Sequence, residues 1–329
     1  MTDTNAPTPA GSPRTIALSS LDAAQAVLAA ATQSDGIPPI SDGLLEAAAD
    51  GTAVILGIAE ATDDETTGGK AAAGDSGSPD APLAGVGVAA LQGERWAAEA
   101  AVAPEHRRRG LGRALVTALA EAARASGGDP WFWSHGDHPA AYRLAEESGR
   151  RRARELLQLT TEGVPELPAL NAPEGVVLRD VRADDAEAWA AVNNAAFSWH
   201  PEQGGQDPAD YRRRTGEPDF DPSTVVIAER TADGRVLGFH ETKRHATHPS
   251  GLAMGEVHVI GVDPEVHARG LGRALLVEGM ARMIADGAEA IELYVESDNE
   301  KALPLYRDVG FSRTVVHVSY EPPERPHEP

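Results

Sequence analysis

The sequence contains no cysteine among its 329 residues. Disulfide bonds, thiolate metal sites and a cysteine-linked acyl intermediate all need that sulfur atom, so each of them is excluded. The sequence also lacks any apolar run near the roughly 18 to 20 residues that a membrane-spanning helix requires. Its polar N-terminus has no basic segment followed by an apolar one, and we therefore expect a cytoplasmic protein.

Basic residues are scarce: 29 Lys and Arg stand against 51 Asp and Glu, which gives a net charge of −22. A charge of this sign repels phosphate backbones and anionic lipids, so we expect no nucleic-acid and no membrane partner. The negative net charge favours a cationic small molecule as the binding partner. The chain is longer than the roughly 100 to 200 residues of one domain, and two domains are therefore expected.

The 11 histidines show no spacing typical of a metal site. His245 and His248 are three residues apart, but the segment at 246–250 contains no acidic residue, and we expect no acidic partner near them. We therefore expect no metal.

An internal repeat is the most informative feature of the chain. Residues 102–115, VAPEHRRRGLGRAL, recur 160 residues later as VDPEVHARGLGRAL at 262–275. Supersecondary repeats usually have periods of about 20 to 50 residues. A period of half the chain therefore indicates a duplicated domain.

Both copies predict the same order of elements: strand, glycine-rich turn, helix, strand, short helix and strand. The fold class is therefore α/β with a mixed sheet, present as two tandem domains. A segment rich in Gly, Ser and Asp predicts a loop inserted in the first domain, and a segment rich in Pro and Gly predicts a linker. The predicted segments are a tail at 1–14, a first domain at 15–161 with its insertion at 62–82, a linker at 162–174, a second domain at 175–320 and a tail at 321–329.

The glycine-rich turns are typical of a phosphate cradle. Arg107-x-x-Gly110-x-Gly112 and His267-x-x-Gly270-x-Gly272 each lie between a predicted strand and a predicted helix. Backbone N–H groups of such a turn, together with the helix N-terminus, bind an anion such as pyrophosphate. The absent Lys-Ser/Thr ending excludes a nucleoside-triphosphate P-loop, and the glycine spacing excludes a dinucleotide fingerprint.

These turns, with the Leu-Tyr-x-x-x-Gly-Phe pattern at 305–311, resemble the Gcn5-related N-acetyltransferases in both halves. The resemblance implies acetyl-CoA as co-substrate and a mixed sheet whose central strands separate. A closer resemblance is to the mycothiol synthase family of tandem acetyltransferases, which acetylate the cysteine amine of cysteinyl-glucosaminyl-inositol. We expect a monomer with this small-molecule amine acceptor. The matching segments are FWSHG at 132–136, HPEQGG at 200–205, GFHETK at 238–243, GEVHVIGVDP at 255–264, LYVESDN at 293–299 and LYRDVGF at 305–311.

The acetyl-CoA contacts that the resemblance implies lie on the two strand-turn-helix segments and at the start of the helix after residue 299. They are Ala100, Ala101, Val102, Arg108, Arg109, Gly110, Leu111, Gly112, Arg113, Ile260, Gly261, Val262, His267, Ala268, Arg269, Gly270, Leu271, Gly272, Arg273, Asn299, Glu300, Lys301, Ala302, Leu303 and Pro304.

Alignment of the two halves predicts which of them is catalytic. Glu256 lies six residues before the second glycine-rich segment, where the first half has Trp96, which cannot accept a proton. Tyr306 stands opposite Ala145, so the first half also lacks a phenol at that position, and its Tyr142 is three residues away. We therefore expect the second half to be catalytic and the first to be a degenerate copy that can still hold acetyl-CoA.

Aminolysis of a thioester needs an uncharged amine, a donor for the oxyanion and a proton for the leaving thiolate. We predict that Glu256, directly or through a water, takes the proton of the substrate ammonium, and that Tyr306 protonates the CoA sulfur. Backbone N–H groups of residues 259–262 would bind the oxyanion. The substrate contacts implied by the resemblance are Asp42, Glu202, Lys243, Glu256 and Tyr294.

Several alternatives stay open at this point. Glu256 could be a strand-edge carboxylate facing solvent, and Tyr306 a core aromatic residue. The chain could be a tandem acetyltransferase for an aminoglycoside, a polyamine or a protein N-terminus, and the loop at 200–205 is the segment that discriminates. It could also be an acetyl-CoA-binding regulatory module without turnover, although the pair Glu256 and Tyr306 argues against this.

Overall fold

The computed structural model describes residues 13–59, 82–198, 205–218, 220–245, 248 and 250–322. Glu202, nearly all of the predicted insertion at 62–82 and most of both predicted tails lie outside these residues. Within the described part of the chain, no helix is both long and apolar enough to cross a membrane.

The chain forms two compact units, and it passes from one to the other twice. The first unit ends at Arg154 and resumes at His317, and the second unit runs from Glu155 to Val316. The first unit contains β1 (Thr15–Ala17), α1 (Gln25–Asp35), α2 (Asp42–Ala49), β2 (Val54–Ala59), β3 (Leu83–Gln92), β4 (Arg95–Val102), α3 (Leu111–Ala125), β5 (Trp131–Ser134) and α4 (Pro139–Glu147).

The second unit repeats this order of elements. It contains β7 (Val176–Asp180), α5 (Ala186–Ala196), α6 (Pro208–Thr215), β8 (Val225–Arg230), β9 (Val236–His245), β10 (Met254–Val262), α7 (Leu271–Ala285), β11 (Ala290–Glu296) and α8 (Ala302–Asp308). Two further strands, β6 (Arg151–Thr161) and β12 (Phe311–Glu321), contain the points where the chain changes unit.

Each unit has a mixed sheet, as the sequence predicts. The strand order is β1-β2-β3-β4-β5-β12 in the first unit and β6-β11-β10-β9-β8-β7 in the second. The parallel pairs are β4 with β5, at Ala97↔Trp131 and Ala98↔Phe132, and β10 with β11, from Met254↔Ala290 to Val257↔Leu293. The other described neighbours are antiparallel.

The last strand of each sequence repeat completes the sheet of the opposite unit. β6 follows the first repeat, yet its residues 156–160 pair with β11. β12 follows the second repeat, yet its residues 318–320 pair with β5. Residues 155–161 therefore lie in the second unit and residues 317–320 in the first, whereas the predicted domains at 15–161 and 175–320 place them the other way round. The predicted domains describe the duplicated sequence and stay a prediction.

A helix follows each glycine-rich turn, as the sequence predicts. α3 and α7 begin at Leu111 and Leu271, immediately after the turn, and each ends just before a glycine with positive φ, Gly127 or Gly287. Glycine adopts this left-handed conformation without the steric cost of a Cβ atom. The same two turn sequences therefore start equivalent helices in both units.

The backbone of α7 at Gly279 approaches the His240 side chain of β9 closely, and this contact packs the helix against the strand. A Cβ atom added at Gly279 would lie 2.1 Å from Nδ1 of His240. The His240 ring is fully buried, and Nδ1 lies 2.9 Å from the carbonyl oxygen of Leu275, to which it can only donate. Burial lowers the pKa of His240 to about 4, which leaves the ring neutral at physiological pH.

We expect Gly279→Ala to lower the free energy of unfolding by about 1 to 3 kcal/mol, because the added methyl group must displace the His240 ring. Urea unfolding followed by circular dichroism measures the loss. The control is Gly272→Ala on the same helix, since a Cβ there meets nothing closer than 3.9 Å. Equal unfolding midpoints for the two variants would contradict the packing described.

Candidate functional site

The two glycine-rich turns have the same backbone conformation at the residue before the helix, although Arg108 has a positive φ of +62° and the equivalent Ala268 does not. Gly110 and Gly270 directly precede α3 and α7, with φ of +83° and +88°. Non-glycine residues avoid this region, so both positions require glycine on conformational grounds. The free N–H groups of the first helical turn follow, and such groups bind anions. Both turns therefore place free N–H groups at the start of a helix, and the binding of a pyrophosphate there stays a prediction.

A cavity of about 840 Å³ opens at the first turn. Its walls include the end of β4, the turn, the start of α3, the end of β5 and α4. Arg109 is not among the lining residues, and its Nη2 donates to the carbonyl oxygen of Glu105 at 3.1 Å. The predicted acetyl-CoA contacts that line the cavity are Ala100, Ala101, Val102, Arg108, Gly110, Leu111, Gly112 and Arg113.

Arg107 holds the first turn in place, a role that the sequence does not predict. Its guanidinium donates to both carboxylate oxygens of Asp35 at 2.8 and 2.7 Å, and its Nε donates to the carbonyl oxygen of Val102 at 3.0 Å. The hydrogen bonds from Arg107 lower the pKa of Asp35 despite partial burial. The turn is thereby tied to both α1 and β4.

The first unit also contains a buried carboxylate, Glu99, that the sequence does not predict. Glu99 on β4 is 2% exposed, and its Oε2 accepts a hydrogen bond from the backbone N–H of Ser41 at 2.6 Å. Its Oε1 lies 3.1 Å from Nε2 of His135, whose Nδ1 is 2.8 Å from Nδ1 of His317. Burial, together with the nearby His135, lowers the pKa of His317 to about 4. That the first copy is degenerate was inferred from positions 96 and 145, and it stays a prediction.

Glu256 is buried on β10 and contacts two imidazoles. Its Oε1 lies 2.9 Å from Nδ1 of His258, and its Oε2 lies 2.7 Å from Nε2 of His245. Burial opposes ionisation of this carboxyl, but hydrogen bonds and charge from His258 and His245 outweigh burial and lower the pKa of Glu256 below its ordinary value. The carboxyl is therefore an anion at neutral pH and does not face solvent.

The expectation that His245 and His248 lack acidic partners is wrong. Besides Glu256, His245 Nε2 lies 3.3 Å from Oε1 of Glu292, and His248 Nε2 lies 3.5 Å from Oε2 of Glu292. The sheet causes this, because the register places Glu292 on β11 directly beside Glu256 on β10. His245, Glu256 and Glu292 are close enough together to share a metal ion. That the protein holds no metal stays a prediction.

Tyr306 lies on α8 and is buried in the core of the second unit. Its ring packs edge-on against Phe311, with 6.0 Å between the ring centroids. Burial raises the pKa of Tyr306 to about 12, so the phenol is protonated at neutral pH. A protonated hydroxyl can donate a proton, and its role as the acid stays a prediction.

The predicted acceptor contacts occupy different elements. Lys243 is exposed on β9, where it is the strand partner of Glu256. Tyr294 is 43% exposed on β11. Asp42 is exposed in the first turn of α2 in the first unit. Glu202 lies outside the described residues.

The remaining acetyl-CoA contacts predicted for the second unit follow the chain from β10 into α7, with a second group before α8. Residues 260–262 end β10, and residues 267–273 form the turn and the start of α7. Arg273 pairs with Asp308 at 3.1 Å. Asn299 Oδ1 accepts a hydrogen bond from the N–H of Ala302 at 3.2 Å, in the turn that precedes α8, and the N-cap of that helix is Lys301.

Comparison with known proteins gives consistent matches. The sequence model described as "Acetyltransferase (GNAT) family" matches residues 48–149 and 189–311. A mycothiol acetyltransferase of Clavibacter sepedonicus is 41% identical over 307 residues, covering 91% of this chain and 92% of the relative. A mycothiol acetyltransferase of Nocardia farcinica is 42% identical over 306 residues, covering 91% and 93%.

Solved structures match the fold across both units. A GCN5-related N-acetyltransferase from Sphaerobacter thermophilus has a TM-score of 0.69 at 22% identity, covering 93% of this chain and 94% of that one. A tandem GNAT protein from the clavulanic acid biosynthesis pathway has a TM-score of 0.65 at 13% identity, covering 94% and 98%. At these identities the likeness is one of fold.

Proposed function

The chain belongs to the acetyltransferase (GNAT) family as a tandem acetyl-CoA-dependent N-acetyltransferase, and from that premise we propose that it is a mycothiol synthase. In this proposal it transfers the acetyl group of acetyl-CoA to the cysteine amine of cysteinyl-glucosaminyl-inositol. The observation that carries the proposal is the 41 to 42% identity to mycothiol acetyltransferases over about nine-tenths of both chains.

The second unit carries the reaction in this proposal. Glu256 is an anion held within the sheet, next to the strand segment 259–262 whose backbone N–H groups would bind the oxyanion. Tyr306 supplies a hydroxyl that stays protonated at neutral pH. Transfer in this proposal is direct from the thioester to the amine, which is consistent with a chain that contains no cysteine.

The first unit keeps an acetyl-CoA cradle in this proposal. Its cavity of about 840 Å³ is lined by the glycine-rich turn, and Arg107 ties that turn to Asp35. The charge of Arg108 and Arg113 at the cavity wall suits a pyrophosphate. In the sequence alignment of the two halves, Trp96 stands opposite Glu256 and Ala145 opposite Tyr306, which supports binding without turnover.

We expect Tyr306→Phe to lower kcat by about 10- to 10²-fold, because the variant has no proton for the leaving thiolate. The KM for acetyl-CoA should stay unchanged, since the ring keeps its packing against Phe311. Tyr294→Phe removes an exposed hydroxyl instead and should raise the KM for the acceptor without lowering kcat. Steady-state kinetics on both variants checks the contrast, and an unchanged kcat in Tyr306→Phe would assign the residue to packing alone.

The function is tested by incubating the full-length chain with acetyl-CoA and a panel of amines. The panel contains cysteinyl-glucosaminyl-inositol, an aminoglycoside, a polyamine and a peptide with a free N-terminus. Because the expected acceptor has its own thiol, released CoA and acetylated product are separated by chromatography rather than measured with a thiol reagent. Preferred acetylation of another amine would overturn the proposed acceptor and leave the family membership intact.

A further inference from the structure

His258 lies where the two central strands of the second unit separate. The ladder between β10 and β11 ends at the pair Val257↔Leu293, so His258 is the next residue of β10 beyond it. The pairing of β10 with β9 also changes register between Val257 and Val259, which makes His258 the extra residue of a bulge. Bulges redirect side chains and are common beside active sites. His258 therefore directly precedes the strand segment 259–262 that the proposed reaction uses.

The His258 side chain is much more accessible than the carboxylate it contacts. It is 40% exposed, whereas the Glu256 side chain is 10% exposed. Both oxygens of Glu256 already face imidazole nitrogens, of His258 at 2.9 Å and of His245 at 2.7 Å. Among the described residues, none forms a hydrogen bond with Nε2 of His258. An incoming amine would thus reach a ring nitrogen of His258 before it reached a carboxylate oxygen of Glu256.

The charges around His258 favour its protonated form. Burial of the ring lowers its pKa, but the hydrogen bond to Glu256 and the charges of Glu241 and Glu256 outweigh burial and the opposing charge of Lys243, so the pKa of His258 lies above its ordinary value. Glu241 is itself paired with Arg214 of α6 at 2.8 Å. A proton acceptor works best when its pKa is near the working pH, and the lowered pKa of Glu256 makes that carboxylate the weaker base.

We propose that Nε2 of His258 takes the proton from the acceptor's ammonium group, and that Glu256 acts through His258 by accepting the hydrogen bond from its Nδ1–H. The arrangement is that of a carboxylate that orients a histidine base and stabilises the imidazolium it becomes. This inference rests on the proposed function and changes the group that contacts the substrate. Glu256 becomes a positioning residue, and His258 becomes the catalytic base.

The proposed reaction moves two protons off the acceptor nitrogen and one proton onto the CoA sulfur. The ammonium N–H bond breaks and its proton bonds to Nε2 of His258, after which the free amine attacks the acetyl carbon. The C–N bond forms and the C–S bond breaks, and the CoA sulfur takes a proton from Tyr306. The nitrogen loses a second proton as the amide forms. One of the two protons from the nitrogen leaves to water, and the other replaces the proton that Tyr306 gave to sulfur.

Four variants of the full-length chain test the inference, with the unmodified chain as reference. We expect His258→Gln to lower kcat by about 10²-fold at neutral pH, with an unchanged KM for acetyl-CoA. His258→Ala should recover activity when imidazole is added to the buffer, whereas Glu256→Gln should not. The double variant His258→Gln with Glu256→Gln should lose no more than the worse single variant, because residues that act as one unit are not additive.

The outcomes separate the two proposals. Turnover of cysteinyl-glucosaminyl-inositol by the unmodified chain tests the proposed function, and the ratios between variants, taken with whichever amine is acetylated, test His258. A kcat for His258→Gln within twofold of the unmodified chain would overturn the inference and leave Glu256 as the direct base. Multiplicative losses in the double variant would overturn it as well, since they would show two independent roles.

Discussion

Glu256→Gln is expected to lower turnover at neutral pH by about 10²-fold or more, because an amide cannot accept the proton or stabilise an imidazolium. The carboxylate is ionised at neutral pH, since His258 and His245 hold its pKa below the ordinary value. Part of the activity should return at high pH, where the amine loses its proton to solvent and arrives uncharged. The measurement is a kcat profile from about pH 6 to pH 10 with saturating acetyl-CoA.

The matched control for this experiment is Glu99→Gln in the first unit. Glu99 is also a buried glutamate on the strand that leads to a glycine-rich turn, and it also faces an imidazole. If the second unit alone is catalytic, Glu99→Gln should keep kcat within a few fold of the unmodified chain. A loss as large as that of Glu256→Gln would show that the first unit takes part in the reaction.

The second large effect is expected from a charge placed in the second glycine-rich turn. Gly270→Glu should lower kcat/KM for acetyl-CoA by about 10³-fold, because the side chain strains a backbone with positive φ and places a carboxylate where a pyrophosphate would bind. Gly270 has φ of +88°. The measurement is steady-state kinetics on protein whose circular dichroism spectrum matches that of the unmodified chain.

Gly110→Glu is the matched control, since Gly110 has φ of +83° at the equivalent position of the first unit. It should abolish acetyl-CoA binding in the first unit and leave kcat at the second within a few fold. Equilibrium binding of acetyl-CoA should then show one site instead of two. Loss of catalysis in a folded Gly110→Glu protein would contradict the degenerate first copy.

Most elements around the site could be predicted because local patterns decide them. The glycine-rich turns fix the start of α3 and α7, and glycines with positive φ follow their ends. The partners of β6 and β12 could not be predicted in this way. The sequence of each strand does not identify its partner, because the choice of partner depends on tertiary geometry.

The side-chain contacts of the site also divide into those between neighbours in sequence and those between separate strands. Glu256 and His258 are two residues apart, so their contact is local in sequence, but the bulge at His258 interrupts the regular alternation of the strand and the spacing alone does not predict the contact. His245 reaches Glu256 across the β9–β10 pair, and Glu292 lies beside Glu256 on β11. These partners come from separate strands, so the sequence around Glu256 does not predict them. His317 and His135 are 182 residues apart and meet only through the exchanged strand.

That exchanged strand sets the order in which the protein can be completed during translation. β5 pairs with β4 on one side, but its second neighbour becomes available only after residues 318–320 of β12 have left the ribosome. At roughly 5 to 20 residues per second, the 182 residues between His135 and His317 take about 10 to 40 s to synthesise. Throughout that interval the nascent first unit presents an unpaired strand edge, which is prone to aggregation. A gene cut at the predicted linker, residues 162–174, would therefore encode two fragments that must associate before either sheet has all of its strands.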